Sequence, residues 1–418
     1  MTFTSAFSAL IGVCFLLIAT VAQGNDNAEN QLTYGFTLDF ESDIIEDKIP
    51  LNIYLPANFD TVSEDFRYPI IFINGSHGNR FFHTLTGIVK HLASVDRMPE
   101  SIVVSLNYSG HFPDTYTNGM WPKREVISGY GDAMKYQAML EQELFPYLEK
   151  HYRAMNKRSI IGVSGASLFP LYSIRSKPAL FDNYIFLAAS DMLGMSFNQE
   201  TKRPFSETIP MQLEKELNGL VLFAVADDDL EGKPDYINNH KTVLENYQKL
   251  ANKQGKLITH VFDNERHYDA FIKTLLLAFD TLYPESLWAP KYRELVAQKG
   301  DALTNIDHYY QKISEDVGFT VLPNPVRWNS VNSLTFIVSH LIELERFKEA
   351  ETVALRLVQY TPENVSSYLA LARVYETLNN LSLALDTLAQ AKNLASKTDH
   401  WQFDKIVQSI ERLSTLQE

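Results

Sequence analysis

The sequence predicts an α/β fold built on a mostly parallel sheet, followed by a small all-α domain. Three observations carry that prediction. Short apolar runs alternate with helical patterns from Tyr34 to Pro284, some of those runs are apolar without interruption, and a 34-residue repeat takes over beyond them.

Ahead of the first strand, the opening 24 residues hold no charged side chain, and Ala9 to Ala22 is an apolar run. It is too short to span a bilayer comfortably and suits the core of a signal peptide, so residues 1–24 are expected to be a leader for export to the periplasm or beyond. The single cysteine, Cys14, follows Val13 rather than a small residue, and no lipid anchor is expected. After cleavage the chain would carry no cysteine, so apolar cores rather than disulfides must hold it, and its length implies two domains. Its net charge is -14, with no cluster of Lys or Arg to offset it. Nucleic acid and anionic membrane surfaces are therefore excluded as partners.

Apolar residues alternate from Tyr34 to Phe40 and again at Leu51, Ile53 and Leu55, whereas Tyr68 to Ile73 and Ile102 to Leu106 are continuous. These read as strands, the later two buried on both faces. A helical pattern follows from Gly131 to Tyr152, and further strands are expected at Ser159 to Gly162, Tyr184 to Ala189, Leu220 to Ala226 and Leu257 to Phe262.

Gly162-Val163-Ser164-Gly165-Ala166 sits between an apolar run and a helical pattern that begins with Leu168 and Phe169. This is the strand, sharp turn and helix that exposes a nucleophilic serine, although Ala166 stands where the motif has its last glycine. An ordinary turn in which Ser164 caps the helix is the competing local reading. In an open parallel sheet, reactive groups lie beyond the carboxyl ends of strands. There the chain has Asp227-Asp228-Asp229, and, one strand later, His267. Serine, acid and histidine in that order, each at a strand end, match the α/β-hydrolase arrangement, with His267 as the base for Ser164. The amide of Gly165 and one from Asn74-Gly75-Ser76-His77-Gly78 are the expected oxyanion donors.

The segments flanking these residues resemble the putative-esterase branch of the α/β-hydrolases, which includes esterase D, the siderophore esterases and the mycolyltransferases. The resemblance covers about residues 30 to 285. It rests on Arg67-Tyr68-Pro69-Ile70-Ile71-Phe72-Ile73-Asn74-Gly75 at the oxyanion strand, and on Glu143-Leu144-Phe145-Pro146-Tyr147-Leu148-Glu149 with Tyr152 before the elbow. It implies Ser164 as nucleophile, His267 as base, Ser76 as second oxyanion donor, and Asp229 ahead of Asp228 or Asp227 as the acid. Three positions depart from the pattern: Asn74 replaces a common Asp, Ala166 replaces glycine, and Asn107-Tyr108-Ser109-Gly110-His111 lacks an arginine after asparagine. The missing arginine points to a neutral or aromatic ester ahead of a ferric siderophore.

Past Pro284, Leu334, Leu341, Leu344, Phe347 and Ala350 recur as Tyr368, Tyr375, Leu378, Leu381 and Ala384. This is the tetratricopeptide period, with Pro362 closing the first unit and helices near Ile306 to Val317 and Trp401 to Leu413 expected as caps. The expected plan is an esterase domain over 25–285, a linker and helical cap over 286–330 that includes Phe319 to Trp328, and tetratricopeptide-like repeats over 331–418. The repeats would either bind a protein partner or only pack on the catalytic domain. An exported serine esterase acting on small acyl or siderophore-type esters is the leading reading. A decayed hydrolase that binds through its repeats is the alternative. No cofactor is implied, and His260 with His267 has no metal-ligand spacing.

Overall fold

The computed structural model describes residues 34–106, 133–195, 203–288, 291–326, 332–398 and 400–417. The expected leader, 1–24, and the Asn107 to His111 segment lie outside these residues, as do the last two positions of the expected linker, 327 and 328.

Eight strands form one sheet: β1 (Phe36–Ser42), β2 (Asp47–Tyr54), β3 (Tyr68–Ile73), β4 (Ile102–Leu106), β5 (Ala154–Val163), β6 (Asn183–Leu187), β7 (Leu220–Ala226) and β8 (Lys256–Phe262). Their order is β1-β2-β4-β3-β5-β6-β7-β8. β1 and β2 pair antiparallel, β2 meets β4 antiparallel, and every later pairing is parallel. The uninterrupted apolar runs are the central strands, since a strand covered on both faces has no polar side to expose. All six side chains of β3 and all seven of β7 are buried.

The period of two sorts those side chains between two cores. Ile71, Ile73, Ile161, Val163, Ile185, Leu187, Leu222 and Ala224 face one side, where they meet α1 (Ser76–Ser94) and α7 (Phe271–Leu282). Ile70, Phe72, Ile160, Tyr184, Phe186, Val221 and Phe223 face the other. That face is covered by α2 (Ala133–Met139), α3 (Phe145–Tyr152), α4 (Leu168–Ser176), α5 (Phe205–Lys215) and α6 (Pro234–Gln248). Between α2 and α3, Leu140–Leu144 winds as a wider π turn, in which the Phe145 amide bonds Leu140 O. Pro146, which has no N–H to give the ladder, follows immediately.

The remaining helices are α8 (Glu285–Trp288), α9 (Tyr292–Ala297), α10 (Ala302–Val317), α11 (Leu334–Glu343), α12 (Phe347–Tyr360), α13 (Val365–Thr377), α14 (Leu381–Lys397) and α15 (Phe403–Gln417). Their buried faces join the core on the α1 and α7 side of the sheet. Further contacts tie these helices to the sheet region and to one another. Ser63 N donates to Tyr360 O at 2.8 Å, Phe66 meets the Tyr360 ring edge-on, and Arg346 Nη1 donates to Val296 O at 2.6 Å. Asn324 O and Pro325 O accept the Leu334 and Thr335 amides, so the segment before α11 satisfies donors that a helix start leaves open.

Candidate active site

The elbow is built by backbone geometry that only certain residues tolerate. β5 ends at Val163, and Ser164 enters a single tight turn over Ser164–Ser167 with φ at 52°. Left-handed backbone costs a non-glycine residue roughly 1–2 kcal/mol, and such strain persists where neighbours hold it and often where function uses it. A Cβ on Gly162 would lie 2.7 Å from Ser167 Cα, so the motif's first glycine is a steric requirement of the strand-to-helix crossing. Ala166 is buried in that crossing, and its carbonyl accepts a 2.7 Å bond from Asn74 Nδ2. Asn74 is itself fully buried, and its amide bonds Ile161 O at 3.0 Å. Two departures from the family pattern thus touch each other. An ionised aspartate at 74 could accept but not donate, and Ala166 O needs a donor.

Gly165 is buried inside the same turn. Ser76 is the first residue of α1, after Gly75 at φ 75°, and its amide belongs to the helix-start donors that have no partner within the helix.

The three aspartates after β7 divide the work among them. Asp229 takes His267 Nδ1 between both carboxylate oxygens, at 2.8 and 3.0 Å. The Asp229 side chain is 18% exposed and the His267 side chain 36%, so the acid is shielded while the imidazole still reaches solvent. Asp227 instead accepts the amides of Asn264 at 2.8 Å, Glu265 at 3.1 Å and Asp228 at 3.0 Å. Those bonds, from Asn264 and Glu265 foremost, hold its carboxyl below the usual range. Asp227 therefore buckles the turn after β7 to the turn that carries His267, while Asp228 begins the short helical turn containing Asp229. Next to the imidazole, the Tyr268 ring lies 4.5 Å away and carries the Arg80 guanidinium 4.4 Å above it.

With Nδ1 engaged by Asp229, Nε2 is the imidazole nitrogen left for another partner. Among the described residues Ser164 makes no hydrogen bond to it; such bonds are often loose in enzymes without substrate. The clasp from Asn74 and the Asp227 buckle are contacts at the candidate site that the sequence did not reveal. The amide side chain at a position where the family pattern has an acid was the one available signal for the first. Among the described residues no group of three or more His, Cys, Asp or Glu is placed to hold a metal, and no helix is long and apolar enough to cross a membrane.

A doubly covered sheet with an elbow serine after β5, and with an acid and the histidine it binds after the neighbouring strands β7 and β8, defines an ester-cleaving α/β-hydrolase. The chain belongs to the family described as Putative esterase, whose model matches residues 42–282, more than half of its length. Among solved structures it is similar to an uncharacterised protein from Capnocytophaga ochracea, with 16% identity over 91% of this chain and 99% of that one, at a TM-score of 0.51. An IroE-like serine hydrolase from Shewanella oneidensis gives 17% identity, 78% and 98% coverage and a TM-score of 0.57. At such identities the likeness is one of fold. No curated protein matches the chain.

Proposed function

We propose that this esterase works through a Ser164, His267 and Asp229 triad. The observation that carries the reading is the Asp229 carboxylate on His267 Nδ1, with Ser164 held in left-handed backbone at the end of β5. His267 Nε2 takes the proton of Ser164 Oγ as that oxygen attacks the ester carbonyl. The amides of Gly165 and Ser76 receive the developing oxyanion. Collapse expels the alcohol, which leaves with the proton from His267, and water then attacks the acyl-serine by the same route in reverse. Asp229 keeps Nε2 free as the acceptor and stabilises the imidazolium.

The charge-free leader supports export to the periplasm or the medium. The substrates are small acyl or siderophore-type esters, with neutral or aromatic ones favoured by the absence of arginine in Asn107 to His111. The chain is divided into the esterase domain over 25–285, a linker and helical cap over 286–330, and tetratricopeptide-like repeats over 331–418 that are available to a protein partner.

A fluorophosphonate probe and p-nitrophenyl esters test the triad. Stoichiometric labelling at Ser164, and a fall in kcat of about 10⁴-fold or more for Ser164→Ala, are expected. An unlabelled protein, or unchanged hydrolysis by Ser164→Ala, would refute it and favour a binding protein with a decayed hydrolase domain.

A further inference from the structure

A second serine and histidine are bonded behind the site, in a place the triad does not use. Ser190 Oγ lies 2.7 Å from His240 Nε2, and the two residues are 3% and 7% exposed. Among the described residues His240 Nδ1 is buried with no hydrogen-bond partner. With no acid on that nitrogen and no access for an ester, the pair cannot act as a nucleophile and base. A buried polar group left half-satisfied still costs stability, so its retention calls for a reason.

Its place in the fold supplies one. β6 lies between β5, which is followed by Ser164, and β7, which leads to Asp229. Val163 pairs with Leu187, and Leu187 in turn with Ala224, so the turn after β6 sits beside the elbow. That turn is also strained: Ala188 has φ at 57°, and its amide reaches across to Ala224 O at 2.9 Å. Two non-glycine residues in left-handed backbone thus stand at adjacent strand ends, and such strain needs surroundings that over-determine it.

The surroundings come from α6. His240 bonds the Ser190 side chain, and its neighbour Asn239 donates Nδ2 to Ser190 O at 2.9 Å. A Cβ on Gly194 would lie 2.9 Å from that same Asn239 amide, so the turn is shaped to admit it. The start of α6 is joined to the segment bearing the acid: Lys233, at its cap, donates Nζ to the Asp229 backbone carbonyl at 3.0 Å and its amide to Leu230 O at 3.0 Å.

We propose that Ser190 and His240 are positioning residues for ester hydrolysis: their bond locks α6 to the turn beside the nucleophile and so fixes the distance between Ser164 and the segment bearing Asp229. The inference rests on the triad reading above. A misplacement of about 1 Å at a reacting centre costs on the order of 10²-fold, without any change in the groups that bind substrate.

The test uses the full chain and p-nitrophenyl acetate, with fluorophosphonate labelling of Ser164 alongside. Ser190→Ala and His240→Leu are expected to lower kcat about 10- to 100-fold with KM within about twofold, and to slow labelling equally. Ser190→Thr, which keeps the hydroxyl, is expected to restore kcat to within about threefold. Wild-type turnover and labelling rates in Ser190→Ala or His240→Leu overturn the proposal, as does a Thr variant no better than Ala. Should Ser190→Ala not fold, Ser190→Cys takes its place, since a thiol of similar size is a weaker hydrogen-bonding partner. If the wild-type protein is not labelled at Ser164, the triad reading itself has failed; if it is labelled and the variants match it, only the positioning role has.

Discussion

Two histidines in this esterase are each bonded to one side chain on a neighbouring strand-end segment, and they differ in what surrounds them. His267 has a carboxylate on Nδ1 and an imidazole open enough to meet solvent. His240 has a hydroxyl on Nε2, no partner on Nδ1 among the described residues, and almost no exposure. Burial lowers the His240 pKa to about 4, because removal from water disfavours the charged ring. The contrast teaches that a serine beside a histidine is not yet a reactive pair. An acid must be able to stabilise the imidazolium, and the other nitrogen must reach a substrate.

The strongest way to break the contrast is to remove the acid from the exposed histidine. Asp229→Asn keeps the shape but reverses the tautomer preference, and kcat for p-nitrophenyl acetate should fall about 10³- to 10⁴-fold. A fall of less than tenfold would mean that the carboxylate is not what equips His267.

Next comes the buried histidine, read through stability. The folded pKa of His240 lies below its unfolded value, so the fold favours the neutral ring. That stabilisation is fully present above the unfolded pKa near 6.5 and is lost as pH falls towards 4. The loss should approach about 3 kcal/mol, seen in urea titrations of the wild-type protein between pH 7 and pH 4. His240→Leu should flatten that part of the pH dependence; an unchanged slope would show that His240 does not titrate as its burial requires.

The smallest effects separate the other two aspartates. Asp227→Ala leaves two amides of the His267 turn without their acceptor and should reduce kcat about tenfold, with KM nearly constant. Asp228→Asn should leave kcat within about twofold, since an exposed carboxylate with no hydrogen bond to the imidazole has little to contribute. Steady-state assays of the two variants side by side check the division of roles, and a larger loss from Asp228→Asn would reverse it.

The elbow and the sheet were legible because each is written locally. A strand buried on both faces has to be apolar throughout, and Gly162 is demanded by the close pass of Ser167. Asp229 was harder to single out, since three adjacent aspartates look alike until the direction of each side chain is known. What separates them is that Asp227 turns back onto the amides of Asn264 and Glu265 while Asp229 reaches His267, 38 residues away. Ala166 looked like a defect in the motif, and its setting became clear only with Asn74, 92 residues distant, bonded to its carbonyl.

From the sequence alone came the order of strands and helices along the chain, the positions of the sharp turns, and the residue types able to do acyl chemistry. These follow from periodicity, from backbone sterics and from side-chain chemistry, all properties of short stretches. Which aspartate meets His267, what holds Ala166, and that Ser190 and His240 meet at all were decided only by the tertiary structure. Those pairings depend on strands brought side by side in an order different from their order in the chain. No local pattern encodes which side chains such an arrangement will bring within hydrogen-bonding distance.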